Sequence, residues 1–338
     1  MKQFFLLLIL LTFYGMGFSQ TLTAKQLQEN AQILMQQGDF DNAIAALQKA
    51  RQQDPLGMEL LKNLSFAYYL QRDFSRAIET GKMVTDMDSA DEQSYQILGY
   101  SYKAIAAYKE ANKIYRAALK KFSNSGVIYN ELGENFALEK NYREAIVQWE
   151  KGIQLSPNIS GNYYNAVKYY AEQKNWIRVL LYGELFVNLE SYSERTTLVK
   201  TYLLAAYAGI LNPDKATPAM DPATSTAFEK QVFLLFSKNK ALAANGLSAD
   251  NIGSIRTRFI LHWQTGLSAT YPYRLFDHWQ YLINEGIFEA YNQWIFEDAL
   301  NKDAYGWWKI NHSAESLKFE QFQQSRVFKI SAGQYYTQ

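Results

Sequence analysis

The chain has 338 residues, with 34 Lys and Arg against 33 Asp and Glu, and no cysteine. Balanced charge leaves no basic footprint for nucleic acid and no acidic tail, and the missing cysteines exclude disulfides, thiol nucleophiles, thiolate metal sites and a lipid-modified cysteine. At 48 % hydrophobic and 20 % charged residues, with only three histidines, the composition is that of a globular chain with little to offer a His-based metal or acid–base site.

Lys2 precedes an apolar run from Phe4 to Tyr14, 11 residues long. A membrane span needs about 20 residues, so the run suits the core of a Sec-type signal peptide over 1–19. Gly17 and Ser19 stand at positions −3 and −1 of a cut before Gln20. The leader, ending Phe-Ser-Gln, resembles those of exported Bacteroidota proteins. The expected mature chain is formally neutral, lies in the periplasm or outside the cell, and has no transmembrane segment or lipid anchor.

A period of 34 residues then organises the first half. Gly38-Asp39-Phe40-Asp41-Asn42-Ala43-Ile44 returns as Arg72-Asp73-Phe74-Ser75-Arg76-Ala77-Ile78 and as Lys140-Asn141-Tyr142-Arg143-Glu144-Ala145-Ile146. Ala43, Ala77, Ala111 and Ala145 are each 34 residues apart. Ala31, Ser65, Gly99 and Gly133 make a second small-residue column; Ala50, Val84, Ala118 and Gly152 make a third. Large residues form columns of their own: Leu34, Tyr68, Tyr102, Phe136 and Tyr170, then Phe40, Phe74, Tyr108, Tyr142 and Trp176. Small residues let paired helices approach closely, and the large ones fill the space between neighbouring units.

On these residues the chain resembles the tetratricopeptide repeat family. Repeats run over 24–57, 58–91, 92–125 and 126–159, with a degenerate fifth at 160–193 where Val179 replaces the expected alanine and Val167 stands in the small column. The resemblance implies an all-α, right-handed solenoid over 20–193, whose A helices line a concave groove that holds a peptide or a partner protein. Repeat positions 2, 5, 9 and 12 would turn inward. They place Gln28, Gln32 and Met35 in the groove, followed by Lys62, Phe66 and Tyr69, then Tyr100 and Lys103, Asn130 and Glu134, and Tyr164 and Lys168. Aromatics beside mixed charges suit an extended peptide or a helix face; the same rings would equally serve to fill the solenoid interior. Family members that grip acidic chaperone tails use a Lys/Asn/Lys/Arg set, and Gln28 and Gln32 occupy its first two positions, so that clamp is not expected here.

The remainder, 194–338, reads as a helical domain. Residues 191–211 form one more A-type helix, and Pro213, Pro218 and Pro222 mark a loop at 212–225. Helical patterns follow near 226–242, 248–265, 273–285, 287–300 and 313–326, with Gly246 and Gly286 as stops and Ser248 and Ser313 as N-caps. Fifteen aromatics fall within 271–330, a quarter of that stretch against 15 % overall. They suit a stacking platform for a glycan or peptide, or an aromatic core that caps the solenoid end. Residues 272–296 resemble tails of exported Bacteroidota proteins of the same repeat family.

Catalytic motifs are missing: no HExxH, GxSxG, Walker loop or GxGxxG opens a helix. The best acid–base constellation is His278 with Glu285, one heptad apart, joined by Glu289 or Glu297. The expectation is an exported, non-catalytic adaptor that binds a protein or peptide of the cell envelope, without cofactor or metal, and with self-association open. A carbohydrate- or nutrient-binding protein using the C-terminal aromatics is the alternative, and a hydrolase centred on His278 a further one.

Overall fold

In a computed structural model the described residues are 22–212 and 219–335. The expected signal peptide, Pro213 and Pro218 lie outside them. All regular structure among the described residues is helical. The chain divides into two compact units, Met1–Ala90 and Asp91–Gln338.

The first unit holds α1 (Ala24–Gln36), α2 (Phe40–Gln53), α3 (Met58–Leu70) and α4 (Phe74–Thr85), two helical hairpins in series. Thr23 opens α1 with a full capping box to Gln26, and the carboxylates of Asp39 and Asp73 cap α2 and α4. Leu27, Ala31, Ala43, Leu47, Ala50, Leu60, Leu64 and Ala77 form its core.

The second unit continues the pattern with α5 (Glu92–Ala104), α6 (Tyr108–Lys121), α7 (Gly126–Leu138), α8 (Tyr142–Leu155), α9 (Ser160–Glu172) and α10 (Trp176–Leu189). Asn141 and Asn175 cap α8 and α10 at the repeat position held by Asp39 and Asp73, whereas Ala107 leaves α6 without a side-chain cap. Each hairpin turns through one left-handed residue: Gly38 (φ 79°), Arg72 (67°), Ala106 (55°), Lys140 (60°) and Lys174 (55°), again 34 apart. Only the first repeat supplies the glycine that this conformation favours.

The small columns are buried as their spacing requires, Ala43, Ala77, Ala111, Ala145 and Val179 all being 0 % exposed. Volume is exchanged between the helices of a hairpin. A Cβ on Gly99 would stand 2.3 Å from the Tyr115 ring, and one on Gly133 would stand 2.4 Å from the Trp149 indole. Glycine on the A helix thus admits an aromatic from the B helix.

Beyond the repeats come α11 (Glu194–Leu211), α12 (Ala227–Ser237), a 3-10 turn (Lys240–Ala243), α13 (Ala249–Gly266) and α14 (Arg274–Asn284). They are followed by α15 (Phe288–Asn292), a π turn (Gln293–Glu297), α16 (Asp298–Leu300), α17 (Lys302–Asn311) and α18 (Ser313–Ser325). Of these helices α11, α12 and α14 pack on α10, which also contacts α9. Every residue from 179 to 188 is consequently buried.

Several expectations for this region need correction. The helix expected over 226–242 stops at Ser237, while the one expected over 287–300 is continuous from Phe288 to Leu300 and widens into a π segment at Gln293–Glu297, just before which Asn292 Nδ2 donates to the Phe288 carbonyl at 2.6 Å. Helix α17 is absent from the sequence reading because only Trp308 on it is buried, leaving no apolar stripe. Ser248 caps α13 with a full box to Asn251, but Ser313 lies inside α18 and caps nothing. Gly286 (φ 67°) follows the C-cap of α14 as the stop expected of it, whereas Gly246 (φ 105°) lies beyond the 3-10 turn and ends no helix.

A buried charge cluster joins the fifth repeat to these helices. Glu184 and Arg256 are both 0 % exposed and pair at 2.6 Å. Trp279 Nε1 (3.2 Å) and the Tyr291 hydroxyl (3.1 Å) donate to the same Glu184 oxygen, Oε2, and the Tyr207 hydroxyl donates to Oε1 at 3.3 Å. The Arg256 guanidinium lies 4.1 Å from the Trp279 ring centre and also bonds Asn292 Oδ1. Burial raises the Glu184 pKa, opposed first by the charge of Arg256.

Candidate functional site

Within the second unit the A helices stand side by side, α5 against α7, α7 against α9 and α9 against α11. Their shared face carries a ladder of polar and aromatic side chains. On α5, Tyr100 donates its hydroxyl to Glu131 Oε1 at 2.8 Å, and Lys103 Nζ bonds Glu131 Oε2 at 2.7 Å and Glu134 Oε2 at 3.4 Å. On α7, Asn130 Nδ2 donates to Glu134 Oε1 at 3.0 Å; from α9, Asn165 Nδ2 reaches Asn130 Oδ1 at 3.0 Å and Glu134 Oε1 at 3.3 Å. The ladder ends on the Tyr164 ring, with Lys168 Nζ 5.2 Å and the Arg195 guanidinium 5.0 Å from its centre. Next to it opens a cleft of about 500 Å³ lined by Glu134, Leu138, Tyr142, Trp149, Tyr164, Lys168 and Glu172.

Six of the nine expected binding residues, Tyr100, Lys103, Asn130, Glu134, Tyr164 and Lys168, therefore share one helix face. The other three belong to the first unit. There Phe66 and Tyr69 stack at 6.1 Å, and the Lys62 side chain is 7 % exposed and bonded to Glu59 at 2.8 Å. Two members of the ladder were not read from sequence: Glu131, which joins Tyr100 to Lys103, and Asn165, which joins α9 to α7. Both occupy one 34-residue column, a single position after Asn130 and Tyr164, and that shared column was the available signal.

The other sequence candidates do not assemble into an active site. His278 is buried, and its hydrogen-bond partner is Arg326, whose Nη1 donates to Nε2 at 2.9 Å, in place of the expected Glu285. Burial, then the positive charges of Arg326, Arg274 and Arg256, hold its pKa well below the ordinary value, so the ring is neutral. The C-terminal aromatics are mostly core: Trp279, Phe276, Tyr291 and Phe296 are fully buried, and Trp307, at 66 %, is the main exposed ring. Among the described residues no cluster of three or more His, Asp or Glu could hold a metal ion, and no helix is long and apolar enough to cross a membrane.

The helical hairpins, their 34-residue phase and their small-residue packing define an all-α protein whose first part is built of repeated helix–turn–helix units. Residues 29–92 match the family model described as tetratricopeptide repeat. Human tetratricopeptide repeat protein 21B is 25 % identical over 125 residues, which is 37 % of this chain and a stretch of only 10 % of the human protein's length. Among solved structures, a thermophilic repeat protein of Thermus thermophilus is 14 % identical with a TM-score of 0.46, over 54 % of this chain and 100 % of that one. MamA of Desulfovibrio magneticus RS-1 is 14 % identical with a TM-score of 0.40, over 57 % and 97 %. YrrB, described as a tetratricopeptide-repeat protein with an unusual peptide-binding site, is 17 % identical with a TM-score of 0.39, over 53 % and 92 %.

Proposed function

We propose that this protein is an exported, non-catalytic scaffold that holds a protein or peptide of the cell envelope on the A-helix face of its second unit. The observation that carries the reading is the ladder from Tyr100 to Lys168, where fixed carboxylates, amides and lysines alternate with partly exposed rings beside an open cleft. Such a face offers hydrogen-bond donors and acceptors to a backbone and flat apolar surface to side chains, the mixture that interfaces use. Repeat solenoids expose extended surfaces of this kind because each unit contributes the same helix face. Export is supported by the leader, with its lysine, its short apolar core and its small-residue exit.

The test is affinity capture from envelope extract with the wild-type chain and with a Tyr100→Ala/Tyr164→Ala/Lys168→Ala variant, quantified by mass spectrometry. A partner recovered by the wild type should fall at least ten-fold with the variant while helical circular dichroism stays unchanged. Undiminished recovery would refute this surface.

A further inference from the structure

After α18 the backbone of residues 326–330 runs extended. Its side chains alternate: Phe328 and Ile330 are buried and Arg326 half-buried, while Val327 is 77 % exposed and Lys329 faces solvent. No strand pairs with this segment among the described residues; side chains hold it. Asn158, in the turn between α8 and α9, donates Nδ2 to the Ile330 carbonyl at 2.9 Å and accepts the Ile330 N–H on Oδ1 at 2.8 Å. Arg274 Nε donates to the Lys329 carbonyl at 2.9 Å, and the Arg274 N–H donates to the Gln334 carbonyl at 2.9 Å. Two of the three inward side chains, Arg326 and Phe328, have receptors of their own. Arg326 Nη2 donates to Asn188 Oδ1 at 2.7 Å and Nη1 to His278 Nε2 at 2.9 Å; Phe328 packs edge-on to His278 at 5.2 Å beneath the Arg274 guanidinium at 4.8 Å.

This arrangement has the two components of extended-peptide recognition. A carboxamide satisfies both main-chain groups of one residue whatever its side chain, and receptors two residues apart read alternate side chains. We propose that the channel formed by Asn158, Asn188, Arg274 and His278 is a second peptide-binding site, separate from the A-helix face. It is filled in cis by residues 326–335, selects a basic–x–aromatic–x–aliphatic pattern, and exchanges its own tail for a peptide of that pattern. His278, neutral and buried, then serves as the acceptor that chooses the basic residue. The proposal does not depend on the A-helix face binding anything.

The probe is a fluorescent peptide of residues 326–335 (Arg-Val-Phe-Lys-Ile-Ser-Ala-Gly-Gln-Tyr), followed by anisotropy against the full-length chain. The tethered tail competes at an effective concentration on the order of a millimolar. Binding to a full-length Phe328→Ala/Ile330→Ala variant should therefore be at least ten-fold tighter than binding to the wild type. Adding Asn158→Ala to that variant should weaken it at least ten-fold, and a peptide lacking its own Phe and Ile should not bind. Equal affinity for wild type and variant, or no binding to a variant that retains its circular dichroism, overturns the proposal. If that variant loses helicity, a spin label on Val327→Cys, unique in a cysteine-free chain, decides. Millimolar peptide should raise the label's mobility, and unchanged mobility overturns the exchange.

Discussion

Replacing Arg256 by Met tests how the C-terminal helices are joined to the repeats. In the native protein the Glu184 carboxylate has no solvent and relies on the Arg256 guanidinium at 2.6 Å. Without it, Glu184 either stays ionised and unpaired, which typically costs 3–5 kcal/mol, or takes up a proton. Protonation sets the ceiling. From an unfolded value of 4.5, protonating the group at pH 7 costs about 1.36 × 2.5, or roughly 3.4 kcal/mol, and at pH 5.5 roughly 1.4 kcal/mol. Loss of the Asn292 hydrogen bond adds about 1 kcal/mol at either pH. The sign follows from the raised pKa of Glu184: its protonated form contributes stability that is full below the unfolded pKa and fades as pH rises through the folded one. Arg256→Met should therefore be destabilised by about 4–4.5 kcal/mol at pH 7 and by about 2.4 kcal/mol at pH 5.5. Urea unfolding followed by tryptophan fluorescence reads it, since Trp279 bonds Glu184 and Trp263 and Trp294 are buried in the same unit. An equal loss at both pH values, or none, would refute the reasoning; adding Glu184→Gln should recover much of the loss at pH 7.

Two further predictions concern the repeats. Ala106→Gly relieves a left-handed alanine at φ 55°, a conformation costing about 1–2 kcal/mol, against about 0.5–1 kcal/mol of extra chain entropy. A gain of about 0.5–1 kcal/mol in urea stability is expected, and a loss would mean that the turn geometry is wrong. Gly133→Ala would drive a methyl to 2.4 Å from the rigid Trp149 indole, an overpacking cost of about 1–3 kcal/mol. Calorimetry should show a lowered melting temperature, and an unchanged one would break the proposed match of A-helix glycine with B-helix aromatic.

How much was legible followed from sequence separation. The repeats were readable because each hairpin closes within 34 residues, so that Ala43, Ala77, Ala111 and Ala145 recur in phase; that Asp39, Asp73, Asn141 and Asn175 cap the helices beginning at the next residue emerged with the structure. The binding face was partly readable for the same reason, since helical spacing alone brings Tyr100, Lys103, Asn130 and Glu134 to one side. Lys62 shows the limit, for spacing gave its direction but not its burial beside Glu59. The partner of His278 was not legible because its neighbours in sequence are not its neighbours in space; Arg326 lies 48 residues away.

By itself, then, the sequence determined an all-α chain of 34-residue hairpins, their turns, their caps and the side on which each A helix offers polar and aromatic groups. These are local consequences of period, residue size and capping chemistry. The tertiary structure alone decided which charges are buried together, which rings are core and where the tail lies. Glu184 meets Arg256 across 72 positions and Asn158 clasps Ile330 across 172. Such contacts arise when whole helices pack to bury apolar surface, and the polar groups carried inward must find partners wherever the fold provides them.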